Sequence, residues 1–357
     1  MTTPDGRVEG QLTCVLYGFG RINRLVFDLA ARRPWLHVSA ALARSPRIID
    51  RPSDGAAAVT RSLSVETDPE RVYEQFQPDV TIVATRTRLA DVLPHLRMAV
   101  PHSRAVLCTA EELAFVAPDD PRRDELHALA LKEGSRIVAV GVNPGFLFDR
   151  WALAALAPAW TADKIEITRV VPVASFPAAS RRHLGIGVSP AELEAGLSDG
   201  SIAGHVGFEA SVAILSAALG RSTDVGAVST RPIFADEDLS IDDLTIPKGH
   251  TIGIEQRVVG ESEGREWIRL SLLFHVAPAQ SGLEAMDELR VTGLYPLTVR
   301  IPGGINPAMA TAALLVNSIP TALQAGPGYH PSGSLPLPAP WLGVRPPIDH
   351  LRSPAWR

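Results

Sequence analysis

Leu12-Thr13-Cys14-Val15-Leu16-Tyr17-Gly18-Phe19-Gly20-Arg21-Ile22-Asn23 is the stretch that decides the fold. A short apolar run ends in two glycines, and a helical pattern follows over residues 21–31. Gly18 permits the tight strand-to-helix turn, and Gly20 lets backbone approach a pyrophosphate. The helix start then offers N–H groups and a positive dipole end to the phosphates. Phe19, Arg21 and Ile22 share that turn and are expected to border the dinucleotide. Asn23 stands where the G-x-G-x-x-G fingerprint has its third glycine, which loosens the expected packing of helix on strand.

Outward from this turn, strand signals recur at 36–43, 79–85, 105–110 and 136–142, with helical patterns at 88–99 and 122–133. Continuous apolar strands separated by helices read as a parallel sheet covered on both faces. The expected fold class is α/β, with a Rossmann dinucleotide-binding domain over residues 1–145. The pattern changes after Asn143-Pro144-Gly145. A helix at 146–156, a strand at 164–173, helices at 190–197 and 207–219, and long strands at 251–259, 267–276 and 288–301 follow. They predict a second, α+β domain over 146–304 on a mostly antiparallel sheet. Residues 305–327 hold an apolar helix expected to pack back on the first domain, and 328–357 read as an extended arm.

Composition excludes several functions. The chain has 357 residues, 46% hydrophobic and 20% charged, with a net charge of -5. That is enough for two packed domains and offers no basic footprint for nucleic acid. No apolar stretch is long enough to span a bilayer, and residues 1–11 do not resemble a signal peptide, so a cytoplasmic enzyme is expected. Cys14 and Cys108 lie in apolar strands and read as buried thiols, and no spacing suits a metal. Lysine occurs only at Lys132, Lys164 and Lys248, none in a position that looks buried.

The end of the second strand bears on the cofactor. It reads Ala41-Leu42-Ala43-Arg44-Ser45-Pro46-Arg47, without the acid that would bind a ribose 2′-hydroxyl. Arg44 and Arg47 suit a 2′-phosphate, with Ser45 donating a hydrogen bond, so NADP is favoured and NAD remains possible. In a chain this rich in arginine, solvated side chains are the structural alternative. Thr85 and Arg86 follow the third parallel strand and should lie at its carboxyl edge, by the nicotinamide half.

The chemistry is expected one strand further on. Glu111 and Glu112 follow the run ending at Cys108-Thr109-Ala110, so their carboxyls would open on the same crevice. Such a pair offers a general base or a partner for a cationic intermediate, while an acidic helix start is the structural alternative. Gly141-Val142-Asn143-Pro144-Gly145-Phe146-Leu147-Phe148-Asp149 also follows a strand, with Asn143 expected on the cofactor side.

Together, GFG at 18–20, ATRTRLA at 84–90, CTAEEL at 108–113, GVNPGFLFD at 141–149, GHVGFEAS at 204–211 and GGINPAMATAALLVNSIPTALQAGPG at 303–328 resemble the 2,4-diaminopentanoate dehydrogenase-like family. That family includes native amine dehydrogenases and is related to dihydrodipicolinate reductase. The resemblance implies reversible oxidative deamination with NAD(P)+, run backwards as reductive amination of a small ketone or aldehyde with ammonia. It gives Glu111, or else Glu112, the task of acting on ammonia and water and of stabilising an iminium. It implies that Phe146 and Phe148 wall an apolar substrate pocket, that His183 and His205 are candidate polar contacts, and that the enzyme is a homodimer. An uncovered apolar sheet face in the second domain would drive the same association. The paired-His, Lys and SGT signature of dihydrodipicolinate reductases is absent, and so is the Glu-Lys-Pro of sugar dehydrogenases.

The alternatives are an NAD(P)H-dependent carbonyl or imine reductase and a dinucleotide sensor without chemistry. Dependence on ammonia separates the first from an amine dehydrogenase.

Overall fold

The computed structural model describes residues 10–52, 60–241 and 244–344. The chain runs β1 (Leu12–Tyr17), α1 (Arg21–Ala30), β2 (Leu36–Leu42), β3 (Arg47–Pro52), β4 (Thr60–Glu66), α2 (Pro69–Phe76), β5 (Val80–Val83), α3 (Leu89–Ala99), β6 (Ala105–Cys108), α4 (Pro121–Lys132) and β7 (Arg136–Ala139). It continues through α5 (Arg150–Leu156), β8 (Lys164–Pro172), α6 (Ala178–His183), α7 (Pro190–Asp199), α8 (Phe208–Leu219), β9 (Asp224–Val225) and β10 (Ser229–Phe234). Next come β11 (Leu239–Ile241), β12 (Leu244–Ile246), β13 (Thr251–Ser262), β14 (Arg265–His275), β15 (Met286–Thr292) and β16 (Leu297–Pro302). Two last elements, α9 (Pro307–Gln324) and β17 (Gly328–His330), close the series. Two compact units result: the chain up to Gly145 together with the segment from Pro307, and Phe146–Asn306.

The first unit is a doubly wound sheet in the order β17-β7-β6-β5-β1-β2-β4-β3. Every pairing is parallel except β3 with β4. Alternate residues of a strand face opposite sides. Cys14 and Leu16 join a cluster with Val26, Phe27, Leu315 and Ile319 from α1 and α9. Val15 joins another with Val72, Val92 and Leu126 from α2, α3 and α4. The antiparallel strand β3 and its partner β4 are additions that residues 47–66 did not betray, because their alternation is polar and short.

Asn23 is more than a missing glycine. It is fully buried, and its Nδ2 donates to Gly18 O at 2.6 Å, Tyr17 O at 3.2 Å and Ile82 O at 3.3 Å. Far from loosening the helix on the strand, this residue ties α1 to the ends of β1 and β5.

The segment expected to be an extended arm begins as a strand. β17 pairs in parallel with β7, and beyond it Trp341 O accepts from Trp35 Nε1 at 3.3 Å. The remainder of that segment, from residue 345, lies outside the described residues.

The second unit is a sheet in the order β10-β13-β14-β8-β15-β16, with β9 on β13. Only β8 and β14 pair in parallel. The run at 288–301 is not one strand but the hairpin of β15 and β16, turned at Gly293-Leu294-Tyr295-Pro296. Ile165, Ile167, Leu270 and Leu289 pack with Phe208 and Val212 of α8 in one core. The opposite strand positions are charged, not apolar as expected. Lys164, Glu166, Arg269 and Glu266 form one ladder of ion pairs, and Arg290, Glu288, Arg300 and Glu284 another. Charge alternating along the strand pairs keeps that face wettable.

Candidate active site

The carboxyl ends of β1, β2 and β5 border a cleft of about 1050 Å³. Gly18, Phe19 and Gly20 line it beside Arg44, Ser45 and Arg47, and Thr85 and Arg86 line it at the end of β5. Arg21, Ile22 and Asn143 do not line it: Arg21 is exposed, Ile22 packs against the core, and Asn143 is buried.

The turn fits a dinucleotide for reasons visible in its backbone. Gly18 has φ +86, and a Cβ there would lie 2.6 Å from Thr85 Cγ2 and 2.8 Å from Ala84 O. Gly20 faces open space, since a Cβ would meet nothing within 4 Å. The space beside Gly20 therefore admits a ligand. Asp68 caps α2, Asp120 caps α4, and Glu112 Oε2 accepts from Leu89 N at 2.8 Å at the start of α3. At α1, by contrast, there is no side-chain cap and no acid in the first turn. Its positive end is left to an anion.

Arg47 is partly committed. Its Nη2 donates to Phe19 O at 3.3 Å and its guanidinium lies 5.6 Å from the Phe19 ring centre. Arg44 and Ser45 are exposed at the lip. Sequence reasoning missed His95, which lines the cleft from α3. Its Nδ1 is 2.9 Å from Thr85 Oγ1 and its ring 4.7 Å from that of Tyr17. Burial, and then the charge of Arg86, lower its pKa. Its place on α3, seven residues into a helix, left no signal in the sequence.

Glu111 opens a 3-10 turn, Glu111–Leu113, just past β6. Burial pushes its carboxyl up to about 8, with the Glu112 charge adding to the rise and a Thr87 hydrogen bond opposing it. Thr87 is two residues beyond Thr85, which lines the cleft, but neither Thr87 nor Glu111 is among the lining residues. Glu112 is occupied at the start of α3, a different helix from the one that an acidic start at 111–112 would open.

In the second unit Phe148, His205 and Phe208 form an aromatic cluster, with ring centres 5.4 Å apart for Phe148 and Phe208 and 4.9 Å for His205 and Phe208. Phe148 is fully buried, so it belongs to the core of the second unit and does not wall a pocket. Phe146 is partly exposed. His205 N donates to Gln256 Oε1 at 2.7 Å, and burial together with the Arg169 charge lowers the imidazole to about 3. Arg169 is itself held by Asp287 at 2.7 Å. His183 is not part of this cluster. It is exposed at the end of α6, its Nδ1 3.2 Å from Ser201 O, in a separate cavity of about 560 Å³. Among the described residues no group of His, Cys, Asp and Glu suits a metal ion, and no helix is long and apolar enough to cross a membrane.

Residues 146–348 match the family described as 2,4-diaminopentanoate dehydrogenase C-terminal domain. The 2,4-diaminopentanoate dehydrogenase of Acetoanaerobium sticklandii is 26% identical over 280 residues, 77% of this chain and 78% of that protein. Among solved structures, the amine dehydrogenase from Mycobacterium smegmatis has a TM-score of 0.78 at 21% identity, covering 93% of this chain and 98% of its own. The structural likeness is one of fold.

The raised pKa of Glu111 makes stability pH-dependent in a known direction. A carboxyl lifted from 4.5 to about 8 takes up a proton on folding between those values. Its contribution is whole below pH 4.5 and is lost as pH rises through about 8. Glu111→Gln should therefore melt higher than the wild type at about pH 9, with the gap shrinking toward about pH 5. Thermal melts of both proteins across this range check it; a gap that is flat with pH would contradict the assignment.

Proposed function

The chain belongs to the 2,4-diaminopentanoate dehydrogenase family, and from that premise we propose that it works as a cytoplasmic, NADP-preferring amine dehydrogenase on small amines, with Glu111 as its reacting carboxyl. The observation that carries this reading is a carboxyl that burial raises to about 8, on the turn after β6, the strand next to β5, whose end borders a dinucleotide-sized cleft. When bound, NADPH supplies the hydride, so that ketone, ammonium, NADPH and a proton give the ammonium product, NADP+ and water.

The residues divide the remaining work. Protonated Glu111 gives its proton to the hydroxyl of the ammonia adduct as that group leaves as water. The carboxylate so formed faces the cationic iminium and stabilises it until the hydride arrives. A group whose pKa lies near the working pH serves both roles, because neither protonation state is costly to reach. Thr87 holds the carboxyl in place. Gly18, Gly20 and the open end of α1 take the pyrophosphate, while Thr85, Arg86 and His95 flank the other half of the dinucleotide. With its pKa at about 3, His205 stays neutral within the aromatic cluster of the second unit. A homodimer, as the family resemblance implies, is assigned to the second domain.

Turnover is tested by NADPH oxidation over a panel of small ketones and aldehydes, with and without ammonium. Oxidation that requires ammonium is expected; oxidation indifferent to it would favour the carbonyl or imine reductase. Glu111→Gln should lower turnover by about 10²–10⁴-fold and leave NADPH affinity unchanged. Glu112→Gln keeps an oxygen for Leu89 N and should lose little.

For the cofactor, Arg44→Ala should erase most of the preference for NADPH over NADH, a loss of roughly tenfold or more for one charge-assisted bond. Equal binding of the two by the wild type would refute the 2′-phosphate assignment. Light scattering at micromolar concentration should give twice the chain mass, and a monomeric mass would remove the dimer.

A further inference from the structure

β17 brings a tyrosine onto the turn that carries Glu111. Tyr329 Oη donates to Leu113 O at 2.6 Å and accepts from Val116 N at 3.3 Å. Three residues on, Ser332 N donates to Ala114 O at 2.8 Å, and Ser332 Oγ donates to Ala139 O at 3.1 Å at the end of β7. Ala114 N in turn donates to Glu111 O at 3.1 Å. The tail is thus bonded to three residues of the segment 113–116 and, through Ala114, to the backbone of Glu111.

The seat of the tyrosine is specific. Gly328 has φ +137, and a Cβ there would lie 2.7 Å from the His127 ring, whose Nδ1 accepts from Tyr329 N at 3.2 Å. Tyr329 is buried in the α2–α3–α4 core, and that burial keeps its phenol protonated, as a donor to Leu113 O must be. A hydroxyl that both donates and accepts replaces two contacts that a short turn cannot make internally. Without it, Leu113 O and Val116 N would be left without this partner in the interior, which favours a shifted or wetter turn.

Resting on the assignment of Glu111 above, we propose that Tyr329 is a positioning residue for this reaction: the C-terminal strand clamps the 3-10 turn so that the Glu111 carboxyl is held dry at the sheet edge. A turn that opens to water would return the carboxyl toward its ordinary range, and small misplacements of a reacting group cost up to about a hundredfold in rate.

The test compares full-length Tyr329→Phe, Glu111→Gln and the double variant. Two readouts are used, the pH window over which Glu111→Gln changes the melting temperature, and turnover of the most active ketone of the panel with ammonium. Tyr329→Phe should move that window to lower pH and lower kcat by roughly ten- to a hundredfold, with NADPH affinity unchanged. Added to Glu111→Gln, it should cost little more, since its effect runs through that carboxyl. Ser332→Ala, a milder cut in the same clamp, should shift both readouts less and in the same direction, and it serves if Tyr329→Phe does not fold. His330→Ala removes only a bond within the tail, to Gly326 O, and should behave as wild type. An unmoved window with normal turnover in Tyr329→Phe would overturn the proposal, and so would losses that multiply fully in the double variant. If Glu111→Gln alone changes neither readout, the assignment of Glu111 fails instead.

Discussion

In a doubly wound parallel sheet the crevice opens where the strand order reverses, here at the carboxyl ends of the neighbouring strands β1 and β5. The helices after these two strands, α1 and α3, pack on opposite faces, so neither closes the crevice. Ligands of doubly wound sheets bind at such switch points. Asn23 settles it from inside. One buried amide collects the carbonyls of Tyr17, Gly18 and Ile82, joining the glycine turn to the neighbouring strand. Its orientation is set by this network, because a reversed amide would aim oxygen at three oxygens. The glycine turn, the start of α1 and β5 are thereby tied together. The glycine lining of the cleft rests on this tie, with no room for a Cβ between Gly18 and Thr85.

The sheet edge beyond β5 is built by the opposite means, hydrogen bonds at the turns and dryness around the carboxyl. The segment after β6 is too short for an α-helix, and its 3-10 turn is held by Thr87 O, Tyr329 and Ser332 from outside. Burial keeps the Glu111 carboxyl protonated well above the usual range, a state that costs stability at alkaline pH. Such a cost is tolerable where a proton must be exchanged, and pointless elsewhere.

The sequence made the first unit legible because its signals are local. Apolar strands, the two glycines and the arginines after β2 each act through their own neighbourhood, and the structure gathers Gly18, Gly20, Arg44, Ser45, Arg47, Thr85 and Arg86 around one cleft. What escaped was long-range. His95 reaches the cleft from the interior of α3, and Tyr329 lies 216 residues from the carbonyl it meets. Strand β3 was hidden because an edge strand needs no apolar run. Asn23 misled for a related reason: a pattern specifies a glycine, while the chemistry at that position needs only something that bridges the strand ends. Phe148 was expected to wall a substrate pocket, but its full burial gives it to the core.

The pair Glu111-Glu112 also shows why this site differs from the sugar dehydrogenases that carry Glu-Lys-Pro at the corresponding place. A lysine beside the carboxyl would pair with it, pull its pKa down and present a cation to the substrate. That suits a developing alkoxide and opposes an iminium. Here position 112 holds a second carboxyl that caps α3, where it accepts from the N–H of Leu89 and raises Glu111 at the same time. All three lysines of the chain lie elsewhere, with Lys164 bound to Glu166 and Glu266, and Lys132 to Glu133. The turn Glu111–Leu113 therefore carries two carboxyls and no cation. Glu112 thus caps the start of α3, and its charge helps to keep the neighbouring Glu111 carboxyl protonated.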